Sequence, residues 1–377
     1  MSIDPNDAPP LLAEVASFAQ GRIAGAVLRP EQPIAIGELE QLTREALELG
    51  MLPAPDADAG FGLWESCDRP SAMEFNIGIL RHTAHASIGV AFAWHRLALA
   101  RHLERSLGFT PDAAGVLDTA LVPTGHYGLA RGSLARWLTG AEQQADEQHL
   151  LADWLDRDAH ATTVNAPGSW NLVLWPVWQD GEICWQRVFR EHLDVRQCKP
   201  QHGFDGISAY RVLRKAVGGE PRRTGREASR LLYARIVMID MIGLMAIGAG
   251  GIARGLALAK AYARIRKQGG KPIGGHPAVQ SMLSDIERAH YNAEVALRAC
   301  ARPVSELDLG MVAASRATLY EALCLAADQV VQVHGAIGYM RDAGAEKILR
   351  DMNTLRLQAG GTREIRLFLA GWCGDIQ

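Results

Sequence analysis

Paired cysteines are missing from this chain. Its six, Cys67, Cys184, Cys198, Cys300, Cys324 and Cys373, are scattered, with no CxxC pair and no histidine at zinc spacing. That argues against a zinc site and a disulfide framework, leaves no metal to predict, and reads as free thiols in a reducing cytoplasm. An excess of positive charge is missing too. Lys and Arg total 39 against 42 Asp and Glu, a net charge of −3, so no overall field draws in a nucleic-acid backbone and no nucleic-acid partner is expected. The first ten residues are polar, acidic and proline-bearing, without the basic stretch and apolar run of an export signal. Long apolar runs are scarce: residues 236–253 approach membrane-span length but contain Asp240 and four glycines, so they predict a buried helix and no membrane span. With 48% hydrophobic and 21% charged residues, wholesale disorder and low-complexity scaffolding are excluded, and 377 residues suffice for two to three domains.

The chain falls into three segments. Apolar residues recur every three or four positions through 11–27, 36–49 and 84–107, interrupted by Pro30, Pro33, Pro53 and Pro55, which predicts an N-terminal α-helical domain over 1–115. Between 116 and 222 the character changes. Residues 161–166, 170–178, 183–188 and 207–213 are short runs rich in Val, Ile, Trp and Thr, and Asp180-Gly181 is a tight hairpin signal between two of them. A small middle β domain is predicted, with a helix expected over 131–156. After the breaker-rich linker 218–223, helical periodicity resumes and runs from 228 to 370, which predicts a C-terminal helical domain over 223–377. The fold class is α+β, mostly α, with no internal repeat.

The order helical, β, helical narrows the possibilities, and three ordered motifs narrow them further. Arg266-Lys267-Gln268-Gly269-Gly270-Lys271-Pro272-Ile273 follows a long helix. Gln332-Val333-His334-Gly335-Ala336-Ile337-Gly338-Tyr339 comes next, and then Leu349-Arg350-Asp351 with Gly361-Thr362-Arg363-Glu364-Ile365. Together they resemble the Arg-x-x-Phe-Gly, Gln-x-x-Gly-Gly-x-Gly and Gly-Thr-x-(Glu/Gln)-Ile segments of the acyl-CoA dehydrogenase family. The resemblance reaches residues 33–52 and 84–95 and is poorest in the middle, where residues 120–131 replace the family's usual flavin-side stretch.

The resemblance implies a C-terminal four-helix bundle and FAD lying between subunits, its diphosphate and adenine end held by the segments just quoted. Arg266 offers a planar fork of donors for phosphate oxygens. Gly335 and Gly338 permit close backbone approach, whether to a ligand or in a helix-ending loop. Gln332, Thr362 and Glu364 match polar cofactor contacts. Gly269 stands where the family has an aromatic residue. The run 247–253 superficially resembles a dinucleotide fingerprint, but no strand precedes it, so it is expected to be a close-packing helix. Trp170, Trp175, Trp178 and Trp185 are expected mostly to fill a sandwich core. His95 and the His126-Tyr127-Gly128 stretch receive no assigned role.

The family reaction removes a proton alpha to a thioester carbonyl while a hydride leaves the beta carbon for the flavin, so a carboxylate base is needed. In the usual place this chain has Gly360. A minority of the family carries its base on an earlier helix, 26 residues before the arginine matched here to Arg266, and that position is Asp240. Asp240 is also the single ionisable residue between Arg235 and Arg254. Burial there is expected to raise its pKa towards neutrality and suit it to proton abstraction. The other reading is a structural aspartate paired across the bundle with an arginine. Aspartate is one methylene shorter than glutamate, and Met241 stands where many relatives have an arginine for acyl-CoA.

What the resemblance implies is an FAD-dependent α,β-desaturation of a branched, cyclic or steroid-derived acyl-CoA, with Asp240 as base. Electrons would pass to an electron-transfer flavoprotein, and the assembly would be a homotetramer or a heteromer with a related subunit. Gly360, Gly269 and the altered middle stretch also fit a half-site subunit of a heteromeric enzyme. Flavin chemistry of another kind, desulfination or monooxygenation, is the third possibility.

Overall fold

Residues 8–54, 62–69, 71–109, 116–121, 127–129, 132–140, 151–152, 155, 162–198, 202–204, 206–215 and 219–373 of the computed structural model are described below. His126 and most of 131–156 lie outside them. The first segment is helical as expected. Helix α1 (Ala8–Phe18) continues through a π turn (Ala19–Ile23) into the short α2 (Ala24–Ala26), and α3 (Ile36–Glu48), α4 (Ala72–Ala86) and α5 (Ile88–Ser106) follow. The run 84–107, expected as one helix, is divided at Ser87. Its backbone is extended there (φ −154°, ψ 115°) and its hydroxyl accepts from the Val90 N–H at 3.3 Å, which caps α5. A new helix axis therefore starts where periodicity alone suggests continuity.

The middle segment holds two three-stranded sheets. The first is β1 (Thr119–Leu121), β3 (Leu172–Gln179) and β4 (Glu182–Phe189), in the order β1-β3-β4. The second is β2 (Thr162–Ala166), β5 (Leu193–Gln197) and β6 (Ser208–Arg214), in the order β2-β6-β5. Asp180 and Gly181 both have positive φ (52° and 83°), the geometry a two-residue hairpin needs, and β3 pairs with β4 in register from Leu172↔Phe189 to Gln179↔Glu182. Strands β1 and β5 escape a reading of apolar runs because β1 has three residues and β5 is half-polar. Helix α6 (Gly132–Thr139) covers the described start of the expected 131–156 helix.

The first sheet is buried on both faces, which explains its nearly continuous apolar strands. Val173, Trp175, Val177, Cys184 and Val188 face the second sheet, where Trp170, Val164, Tyr210 and Val212 complete the sandwich core. Alternate residues, Leu174, Ile183 and Trp185, join the helical core, and Trp185 stacks on Tyr233 of the next helix at 6.2 Å.

That helix, α7 (Arg226–Ile265), has 40 residues and spans about 60 Å. A two-stranded turn, β7 (Lys267–Gln268) and β8 (Lys271–Pro272), follows it, then α8 (Pro277–Cys300), α9 (Leu309–His334), α10 (Ala345–Arg356) and α11 (Gly361–Trp372). Helix α7 is buried continuously from Ile236 to Ile252 because α4, α5, α8, α9 and α10 all pack on it. Glycines make this possible. A Cβ on Gly250 would lie on the Arg81 carbonyl and Ala84 of α4, and one on Gly251 would meet Ile88 and Met352. The glycine-rich run is thus a helix-packing surface, and the long apolar stretch is 94% buried. Leu309–Tyr339, α9 with the turn after it, is also long and apolar enough to cross a membrane, whereas the sequence reading found only 236–253 near that length.

Candidate functional site

Three buried helices each carry a charge into one place. Helix α5 supplies His95 and Arg96, α7 supplies Asp240 and α9 supplies Arg316, all at most 4% exposed. Asp240 accepts from three donors: His95 Nε2 at 2.9 Å, Arg96 Nη1 at 2.6 Å and the Tyr127 hydroxyl at 2.6 Å. The tautomer of His95 follows from its other side. The Trp64 indole, which can only donate, reaches His95 Nδ1 at 2.9 Å, so the ring proton sits on Nε2 and faces Asp240. Gly243, one turn beyond Asp240, lies against the imidazole and leaves no room for a Cβ.

This geometry corrects the expected direction of Asp240's pKa. Burial does push it up, but the Arg96 charge and the bonds from His95 and Tyr127 outweigh burial and hold the carboxyl below its ordinary value. Burial lowers the pKa of His95 despite Asp240. It raises that of Tyr127, and the Asp240 charge adds to the rise. The resulting state is an ionised aspartate facing a charged arginine, a neutral imidazole and a neutral phenol.

The segment between α10 and α11 closes one side of the cluster. Gln358 accepts from Arg96 Nη2 at 3.4 Å and from Asn165 of β2 at 3.3 Å, and its carbonyl accepts from Arg316 Nη2, as does that of Leu355 at 3.1 Å. Ala359, Gly360 and Gly361 all have positive φ (50°, 94° and 61°). A Cβ on Gly360 would come within 2.7 Å of Leu129 Cδ1 and 3.3 Å of Glu364 Oε2. The position where the family's usual base would project is therefore filled by another side chain. Met241 is fully buried beside Asp240 in the chain.

The six residues matched to cofactor contacts fall in two places. Arg266, Gln332 and Gly335 line an open groove of about 680 Å³ at the end of α9, with the stacked rings of Tyr262 and His334 (4.7 Å) in its wall. Gly338 is not in that lining; it lies in the 3-10 turn after α9, close against the Val331 carbonyl, and Gly335 ends the helix. Gly269 lies in the groove beside His276, with no aromatic ring in its place. Thr362 and Glu364 sit instead at the start of α11, next to Gln358 and Gly360. Gln332 is 16 residues along α9 from Arg316, about 24 Å at 1.5 Å per residue. The groove's guanidinium, amide and Cβ-free peptide suit a diphosphate. At the other place, the Thr362 hydroxyl is buried without a partner, and α11 begins without a side-chain cap.

Sequence reasoning selected Asp240 but not its surroundings. His95 and Tyr127, left without a role, are its direct partners, and Arg96, Arg316 and Gln358 were not singled out. Among the described residues no group of acidic, histidine or cysteine side chains is arranged to hold a metal.

The architecture is a helical layer, a β sandwich and a C-terminal helical bundle. Residues 234–370 match the acyl-CoA dehydrogenase C-terminal domain family. The chain is 33% identical over 132 residues to the 3-sulfinopropanoyl-CoA desulfinase of Paraburkholderia xenovorans, covering 33% of this chain and 34% of that protein. It is 29% identical over 272 residues to a probable acyl-CoA dehydrogenase, fadE25, of Mycobacterium bovis, covering 64% and 67%. Its fold is that of glutaryl-CoA dehydrogenase from Mycobacterium smegmatis, with a TM-score of 0.76 at 14% identity over 100% of this chain and 96% of that one. Residues 234–370 thus carry an acyl-CoA dehydrogenase C-terminal domain, and the chain spans only about a third of the desulfinase's length.

Proposed function

We propose that the chain is one subunit of a flavin-dependent oxidoreductase that desaturates an acyl-CoA thioester, working beside a related chain that supplies the base. The observation that carries this reading is the condition of Asp240: its oxygens are taken by three donors, its pKa is lowered, and it has no exposed surface. A base must offer a free lone pair to the substrate's α-hydrogen and gain a proton readily. Asp240 is arranged for the opposite, and Gly360 offers no carboxylate. In this reading Asp240 anchors the helices.

The chain keeps what a neighbouring subunit would use. Arg266, Gln332 and Gly335 would hold the diphosphate of FAD, and Thr362 and Glu364, at the start of α11 beside the Gln358 segment, lie too far from the groove to grip the same end of the same molecule. Two chains placed head to tail bring the two sets together, which accords with a cofactor lying between subunits. Exposed apolar side chains on α8, α9 and the turn after it support an extended contact there: Val295 is 66%, Leu325 69% and Tyr339 64% exposed. When bound, FAD accepts the hydride that leaves the substrate's β carbon. This chain's residues would bind its diphosphate and would exclude water from the Asp240 interior, with an electron-transfer flavoprotein as the electron acceptor.

Purification alone and with a co-expressed acyl-CoA dehydrogenase-like chain tests the proposal. Alone, the protein is expected to show no anaerobic loss of flavin absorbance with any acyl-CoA. The co-purified pair is expected to be yellow and bleached by substrate, and Arg266→Ala in this chain is expected to lower its flavin content. A protein that is yellow and bleached by acyl-CoA on its own, and silenced by Asp240→Asn, would instead restore Asp240 as base. Flavin indifferent to every CoA thioester in both preparations points to other flavin chemistry.

A further inference from the structure

Arg316 is fully buried, yet its Nε and Nη1 have no hydrogen-bond partner. Its Nη2 is used by the carbonyls of Leu355 and Gln358, and its guanidinium lies 4.6 Å over the Tyr320 ring. The neighbouring charges do not satisfy it. Asp240 is the carboxylate it senses, but that group is bonded to Arg96, His95 and Tyr127, and Arg96 opposes it. Among the described residues Arg316 thus has no carboxylate in contact, and two of its three guanidinium nitrogens have no acceptor. Leaving such donors empty costs more than leaving neutral ones empty, because the charge has lost its hydration.

We propose that the interior facing Arg316, between α9, α7 and the Gln358 segment, is a receptor for a compact anion. A carboxylate or halide meets both needs at once, completing the arginine's bonds and balancing the second positive charge. The shared chemistry is a small monovalent anion; it reaches the site either as a free ion or as the acid end of a dicarboxylic acyl group. This goes beyond the subunit assignment and does not rest on it.

Thermal midpoints of the full chain, read at constant ionic strength with bulky gluconate replaced stepwise by bromide or acetate, test the proposal. A saturable rise is expected, and Arg316→Met is expected to weaken the apparent affinity by about tenfold or more. Succinyl-CoA and butyryl-CoA separate the two sources. A larger rise with succinyl-CoA that disappears in Arg316→Met assigns the receptor to the acyl group, and a rise with bromide or acetate alone assigns it to a free ion. No saturable rise with any of these probes overturns the proposal, while the flavin and bleaching measurements judge the subunit reading separately. Where Arg316→Met fails to fold, a bromide-soaked crystal of the unaltered protein decides: an anomalous peak against the Arg316 guanidinium supports the site, and its absence refutes it.

Discussion

At the residue scale, Asp240 shows how a buried charge is kept by its partners. Removing the carboxylate's charge leaves Arg96 in the interior without its counter-ion, so Asp240→Asn is expected to destabilise the protein by about 3–5 kcal/mol, read from urea unfolding. Arg96→Met with Asp240→Asn is expected to cost less than the two separate changes added, because the orphaned charge goes with its partner. A loss below about 1 kcal/mol for Asp240→Asn would remove the anchoring role. The sequence made Asp240 conspicuous as a lone charge in an apolar helix. The same signal was present at Arg96, between Trp94 and Leu97 in the apolar run of α5, and at Arg316, among the small and apolar residues of α9. These charges, of opposite sign and each set among apolar neighbours, lie at one meeting point. What no sequence reading supplies is the stoichiometry of that meeting, and it was the count of donors that reversed the direction of the aspartate's pKa.

At the element scale, α7 is the member everything else is measured against. Its glycines set how near the neighbouring helices come, and Gly250 is the strictest, because its Cβ would overlap a backbone carbonyl of α4 that no rotamer change can withdraw. Gly250→Ala is therefore expected to cost about 1–3 kcal/mol, despite alanine's better helix propensity, and the thermal midpoint checks it. Periodicity located this helix, the hairpin at Asp180-Gly181 and the longer strands. It failed at the α4–α5 break, where the apolar pattern runs on across Ser87 and the backbone does not. It failed at β1 and β5, whose burial depends on partners distant in sequence.

At the scale of the whole molecule, burial of histidine shapes the response to acid. Burial holds His82, His85, His95 and His290 below the ordinary value, and His102 falls to about 4. His102 is locked neutral from both sides: its Nδ1–H donates to the Trp64 carbonyl at 2.7 Å, and its Nε2 accepts from Arg235 at 3.3 Å. The folded chain thus refuses protons that the unfolded chain takes up below about pH 6.5. Stability from these groups is complete above that pH and is lost as pH falls towards their folded values; His102 alone accounts for on the order of 3 kcal/mol between pH 6.5 and 4. Asp240 adds a second loss below about pH 4, the unfolded carboxyl value, as its lowered folded pKa is approached. Urea midpoints are expected to be level from pH 8 to 7 and to drop steeply by pH 5. A flat profile to pH 5 would contradict this account.

The crowding of Leu129 over Gly360 also limits what can be engineered there. A single substitution cannot place an acidic side chain at 360, since it would collide with Leu129 on a backbone whose φ of 94° disfavours any side chain. Two coordinated replacements would be required, and the first alone would be penalised.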